Sequence, residues 1–265
     1  DKKGWATGVA GVAMGLSGAF FTVFVKGVGG VWGIRVCFAA LGVVMLVVCG
    51  AGALILQDPP PKPQRGKPQP GPDFDYKQML RTPQYKLCVA AVALSAPAVL
   101  LFSPIILKLG MERGLDESAA LWAVVLGSVG SAAGRLLMPL LSDKIGRRPT
   151  DLILFGASLG LSVVFWSARG WAVVGVYAGL TFCYSALAAV LPALSTDLFG
   201  LPHAGVNYGF LALGQSVGSL LFPFIANFWG FGPGRHVLAI AGAAAGFACI
   251  WAVTPVQPER PKKPN

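Results

Sequence analysis

Charge is scarce in this chain. Only 12% of its 265 residues are Asp, Glu, Lys or Arg, about half the ~25% of a soluble domain, while 55% are hydrophobic. This excludes a disordered chain, a coiled coil and an ordinary soluble enzyme domain. Acidic residues are rarer than basic ones, 11 against 21. All the acids fall in expected loops, helix ends or the tail, so no carboxylate is expected deep in an apolar segment. Cysteine supplies no framework either. Cys37, Cys49, Cys88, Cys183 and Cys249 sit singly in apolar stretches, with neither CxxC spacing nor a nearby His, and read as small packing residues. There is no nucleophile–base pair, Walker loop or HExxH, so the expectation is no enzyme, no cofactor and no metal. Strict alternation of polar and apolar residues is also missing, which excludes a transmembrane β-barrel.

What the chain does have is glycine, 35 residues, and long apolar runs. Spanning a bilayer takes about 20 mostly apolar residues. Eight stretches qualify: 5–25, 33–56, 85–108, 117–140, 151–168, 171–195, 205–229 and 236–254. The expected fold is an all-α, polytopic bundle of eight transmembrane helices. Residues 57–84, with prolines crowded between Pro59 and Pro72, read as a solvated linker ending in a short surface helix near Phe74–Leu80. Residues 1–56 then hold two helices, 85–254 hold six, and 255–265 form a tail. Trp32, Trp171 and Trp229 lie at helix ends, where indole rings anchor to the membrane interface. His203 and His236, near helix ends, read as surface residues.

The formal net charge of +10 raises the question of a nucleic-acid partner. Its distribution answers it. With the connections numbered on alternating sides, basic residues on one side outnumber those on the other more than two to one. The richer side holds Lys2 and Lys3, the linker, Lys144, Arg147 and Arg148, and the tail. Such asymmetry is an orientation signal, and the richer side is cytoplasmic. Both termini, the linker and the 141–150 loop are therefore expected inside, with the lipid bilayer rather than nucleic acid as partner.

A faint repeat runs through the chain. Gly4-x-x-x-Gly8 opens the first helix and Gly205-x-x-x-Gly209 the seventh; Gly33 and Arg35 correspond to Gly234 and Arg235 in the second and eighth. A parallel six-helix repeat would make the first two helices the fifth and sixth of a half whose opening four are absent from this sequence.

After the fourth apolar stretch comes Asp143-Lys144-Ile145-Gly146-Arg147-Arg148. A carboxylate suits a neighbouring helix N-terminus, glycine a tight turn, and the basic residues a cytoplasmic loop. Here the chain resembles the major facilitator superfamily, whose signature follows the second helix of each half. Pro139 departs from it where glycine is usual. Asp1-Lys2-Lys3-Gly4, Pro59-Pro60-Pro61, Arg81-Thr82-Pro83-Gln84-Tyr85 and Asn207-Tyr208-Gly209 are similar to the oxalate/formate antiporter and monocarboxylate porter group. The resemblance implies helices five to twelve of a twelve-helix fold. It also implies that Asp143, Lys144, Gly146, Arg147 and Arg148 form a gating latch, with Asp143 near Lys2–Ala6. The alternative is a solvated loop that only sets orientation.

Arg135 lies within the fourth stretch, on one helical face with Ser128 and Ser131. A charge there either faces a cavity, where it can bind a carboxylate, or snorkels or pairs near the cytoplasmic end. The resemblance implies the former, since transporters of this group place a substrate-contacting Arg in helix eight. Gly127, Gly130 and Gly134 form an adjacent stripe for close helix contact. Tyr177, Thr181 and Tyr184, and also Asn207, Gln215 and Ser219, either line the cavity or bond helices together. Oxalate transporters of this group carry a Lys in helix eleven where Gln215 stands here, which implies a monoanion or a polar neutral solute before a dianion.

The resulting expectation is secondary transport of small organic anions by alternating access. The substrate residues are Arg135, Gln215, Ser131, Tyr184 and Asn207. The alternatives are a transporter of a neutral or drug-like solute, and a non-transporting sensor or remnant.

Overall fold

A computed structural model describes residues 3–55, 73–228 and 232–254, with side chains from Gly11 onward, Ala19 excepted. The regular elements among the described residues are all helices, without strands. The chain divides into two units, Asp1–Gly18 with Gly71–Asn265, and Ala19–Pro70.

Helix α1 (Lys3–Ile55) passes through both. Its second part, in the smaller unit, is broken at Gly33, which adopts φ 78° and ψ 166°. Positive φ is costly for any residue with a Cβ, so the break falls on a glycine. A Cβ on Gly29 would lie 3.8 Å from that of Cys37. Eight residues of straight helix would separate them by roughly 12 Å, so the chain turns sharply there. The break was expected over 26–32; those residues are helical, and the two expected spans 5–25 and 33–56 meet at Gly33 instead.

The larger unit is the bundle. Short α2 (Tyr76–Arg81) has a capping box between Asp75 and Gln78, and α3 (Pro83–Ser95) starts with Thr82 as cap and Pro83 in its first turn. The expected single helix 85–108 is in fact a broken run: α3, α4 (Pro97–Leu100), a 3-10 turn (Ser103–Ile105) and α5 (Ile106–Glu112). Pro97 and Pro104 lack the N–H that a continuous helix needs. Then follow α6 (Glu117–Ile145), α7 (Arg147–Ser167), α8 (Trp171–Phe199), α9 (Ala204–Phe228) and α10 (Gly234–Ala252). At 29 residues, α6 and α8 are each about 43 Å long, enough to cross a ~30 Å hydrocarbon layer. Seven described segments are long and apolar enough to cross a membrane, α1 counting once across its break.

Helices α6 and α8 pack most extensively. Their backbones touch along the glycine stripe: a Cβ on Gly130 would lie 2.4 Å from Ala178 O. On another face of α6, Gly11, Gly15 and Gly18 of α1 meet Arg135, Ala132 and Ser128. Outward-facing side chains such as Trp122, Trp171, Leu220, Phe224 and Trp251 are largely exposed. That much uncovered apolar surface belongs in lipid, and the protein is an integral, multi-pass membrane protein. Trp171 and Trp32 are exposed at 60% and 69%, while Trp229 lies outside the described residues.

The two ends of the bundle differ. At one, Met79 of α2 is fully buried with Cys88, Leu198 and Phe199. At the other, Arg113 donates to Phe165 O at 2.6 Å and Ala168 O at 3.2 Å, and its guanidinium lies 3.0 Å from His236 Nε2. Burial, and next the charge of Arg169, hold the Arg113 guanidinium below its ordinary pKa. Expected at the surface, His236 is buried instead, because Phe102, Phe165 and Trp166 pack around its ring.

Candidate functional site

Arg135 sits past the midpoint of α6, half-buried, its Nε enclosed without a partner and its Nη1 3.6 Å from Met14 Sδ. Among the described residues no carboxylate lies within ion-pair distance. Two phenols, Tyr184 of α8 and Tyr208 of α9, are within electrostatic reach of its charge. Gln215 Nε2 donates to Tyr184 Oη at 2.8 Å, which ties α9 to α8. Tyr184 and Gln215 also line a narrow cleft of about 20 Å³ among α3, α7, α8, α9 and α10. An enclosed guanidinium nitrogen without a partner is a ready donor to an anionic group.

The other expected site residues are placed differently. Ser131 shares a hydrogen bond with Ser185 of α8 at 2.7 Å, one turn from Arg135. Ser128 bonds back to Val124 O and lies under Gly18. Thr181 donates to Gly127 O at 2.8 Å, across the α6–α8 contact. Ser219 is exposed and bonds within its own helix. Asn207 is fully buried in the first turn of α9, where its Nδ2 donates to Phe74 O at 2.9 Å. Phe74 N–H in turn donates to Phe199 O at 3.0 Å. Asn207 thus fastens the segment leading into α2, and belongs to this anchorage rather than to the Tyr184–Gln215 pair.

The Asp143 motif is a junction of helix ends. Gly146 takes φ 93° and ψ 155°, reversing the chain between α6 and α7. Arg147 pairs with Asp143, donates to Ser142 Oγ and to Pro139 O at 3.3 Å, and lies 3.5 Å from Asp197 at the end of α8. Arg148 donates to the carbonyls of Ile250 and Trp251, which end α10. Lys144 is exposed. One loop thereby ties α6, α7, α8 and α10 together. The expected approach of Asp143 to Lys2–Ala6 lies outside the described side chains.

Sequence reasoning missed Asp151. A helix beginning at 151 made it a terminal acid. In fact α7 begins at Arg147, because Pro149 is tolerated in a first turn, so Asp151 lies inside the helix. It is 3% exposed and lines the cleft, with Oδ1 unpaired. The helical phase it shares with buried Leu154, Phe155 and Ser158 was the available signal.

Comparison with known proteins places this arrangement. The sequence profile of the Major Facilitator Superfamily matches residues 1–150 and 87–265. The oxalate:formate antiporter of Oxalobacter formigenes is 27% identical over 227 residues, covering 83% of this chain and 54% of that protein. An uncharacterised MFS-type transporter of Escherichia coli, YhjX, is 26% identical over 196 residues, 71% of this chain and 48% of its own length. An uncharacterised 38 kDa protein from the 23S RNA operon of Thermoproteus tenax is 30% identical over 251 residues, 92% and 61% respectively. The chain therefore spans about half the length of the first two. With the profile matched along its whole length and a bundle of membrane-crossing helices, the chain belongs to the major facilitator superfamily.

Proposed function

We propose that this chain is helices five to twelve of a secondary transporter that carries small organic anions by alternating access. Residues 1–56 supply the last two helices of the N-terminal half, 57–84 a cytoplasmic linker, 85–254 the C-terminal half and 255–265 a cytoplasmic tail. The observation that carries the reading is Arg135: a half-buried guanidinium with an enclosed, unpaired Nε, within electrostatic reach of the Tyr184 phenol. An incoming carboxylate relieves the cost of an unpaired charge in the membrane. Ser131, beside Ser185, adds hydroxyls on the same wall. The one cation and neutral amide suit a monocarboxylate before a dicarboxylate. The oxalate:formate antiporter among the relatives supports the substrate class. The Asp143–Arg147–Arg148 junction acts as the gating element, since four helices move together if it stays closed.

The test uses the full-length protein in proteoliposomes. Counterflow of radiolabelled formate or oxalate is expected, with loss in Arg135→Gln. If neither anion moves, or if Arg135→Gln moves both at the original rate, the anion reading is wrong. Uptake of a neutral solute unaffected by Arg135→Gln would support the second transport reading.

A further inference from the structure

The cleft that reaches Tyr184 and Gln215 also holds Asp151, which the Arg135 site does not use. Its remaining polar lining is sparse, and aliphatic side chains together with Phe155 make up most of the wall. Asp151 is 3% exposed, and no described group donates a hydrogen bond to its enclosed Oδ1.

One oxygen of this carboxylate has lost its water and gained no partner. Burying a charge under those conditions costs more than any single hydrogen bond returns, and a carboxyl group escapes the cost by taking up a proton. The surrounding charges do not change this. On its own helix, Arg147 is engaged by Asp143, Asp197 and Pro139 O, and Arg148 by the end of α10. From α3 it faces Cys88, and the α10 residue that lines the cleft is the apolar Ile250. Across the cleft α8 offers Tyr184, which is bonded to Gln215 of α9. On α6, Asp143 is held by Arg147, and Lys144 is exposed. Among the described residues, Arg147 and Arg148 direct their hydrogen bonds to other acceptors.

We propose that Asp151 is a proton-binding site of the cleft, neutral while the cleft is dry and ionised when it fills with water. The inference rests on the transport reading only for its consequence: a carboxyl that changes protonation as helices part links proton movement to the cycle. Protonation is needed to close the cleft, so acid favours the enclosed state and alkali the wetted one. The bond involved is the O–H of the carboxyl; the proton passes to and from water and nothing is oxidised.

Infrared difference spectroscopy of the full-length protein in lipid tests the site without any transport. A C=O band of a protonated carboxyl is expected at neutral pH, shifted in heavy water and absent in Asp151→Asn. If no such band is present, or if it persists in Asp151→Asn, the proposal is overturned. Should that variant fail to fold, carboxyl-¹³C aspartate labelling of the wild type takes its place. One aspartic acid signal still protonated at neutral pH supports the site, and full ionisation overturns it. In proteoliposomes, wild-type formate flux is expected to follow pH and Asp151→Asn flux to lose that dependence. Unchanged pH dependence in Asp151→Asn overturns the coupling. Absence of any formate or oxalate flux in the wild type refutes the transport reading, while the spectroscopic result still decides the site.

Discussion

A Cβ on Gly134 of α6 would lie 2.4 Å from the carbonyl oxygen of Phe182 in α8. The obstacle is backbone, so no rotamer change can relieve it. Gly134→Ala is expected to lower stability by about 1–3 kcal/mol, the usual cost of overpacking. Gly160→Ala on α7, where nothing lies within 4 Å, should be neutral or raise stability by up to ~1 kcal/mol. Thermal unfolding of both variants in detergent makes the comparison; equal melting temperatures would contradict the close contact.

Arg135 separates charge from shape. Arg135→Lys keeps the cation but loses the planar fork, so weak anion exchange should remain. On the proposed anion reading, Arg135→Gln removes a charge-assisted bond of roughly 1.5–3 kcal/mol, about a ten- to hundredfold loss of affinity. Gln215→Lys, next to Tyr184, should move preference from formate toward oxalate. Competition assays with the two anions read all three variants.

Arg147 has partners on two helices, α6 and α8, and its pair with Asp197 is the more exposed of its two ion pairs. Asp197→Asn should change stability within ~0–1 kcal/mol, as exposed ion pairs do. Arg147→Ala should cost about 1–3 kcal/mol, because Pro139 O and Ser142 Oγ lose their donor. A thermal-shift series that finds Asp197→Asn the more damaging would reverse this ranking.

Asn207→Leu keeps the bulk and removes the donor to Phe74 O. The orphaned carbonyl should cost about 1–3 kcal/mol and loosen the approach to α2. Hydrogen exchange across Phe74–Arg81 is the measurement. Faster exchange there, with α6 and α8 unchanged, is the expected pattern.

Asp116 caps α6 and gives the pH dependence of that helix start. Its carboxylate accepts from the Ser118 hydroxyl and from Ala119 N–H, which together hold its pKa below the ordinary 3.8. The stabilisation is therefore complete above 3.8 and is lost as pH falls through the depressed value. Asp116→Asn should flatten this acid limb in unfolding curves. An unchanged limb would show that the cap contributes nothing to it.

Much of this architecture was readable from periodicity and glycine spacing. The last five helices fall within a few residues of their expected bounds, and Gly127, Gly130 and Gly134 meet α8 as their spacing implied. What escaped notice depended on tertiary neighbours. Asn207 is polar and sits near a helix start, yet its partner is a backbone carbonyl far away in sequence. Ser128 shares a face with Arg135, but α1 covers it. Asp151 looked terminal because Arg147-Arg148-Pro149 reads as loop; the guanidinium bonds that let those residues begin a helix lie in α6, α8 and α10.

The seam of Gly11, Gly15 and Gly18 against Arg135, Ala132 and Ser128 has a mechanical consequence. A Cβ on Gly15 would lie 2.4 Å from Ala132 Cα, so backbone there slides against backbone. Such a surface has little corrugation. Interlocked leucines must change rotamer before one helix can advance past another, whereas this face has few teeth to disengage. The stretch that carries Arg135 thus runs along a smooth track, and roughening it with Gly15→Val should slow the relative motion of the two helices more than it weakens the binding of an anion.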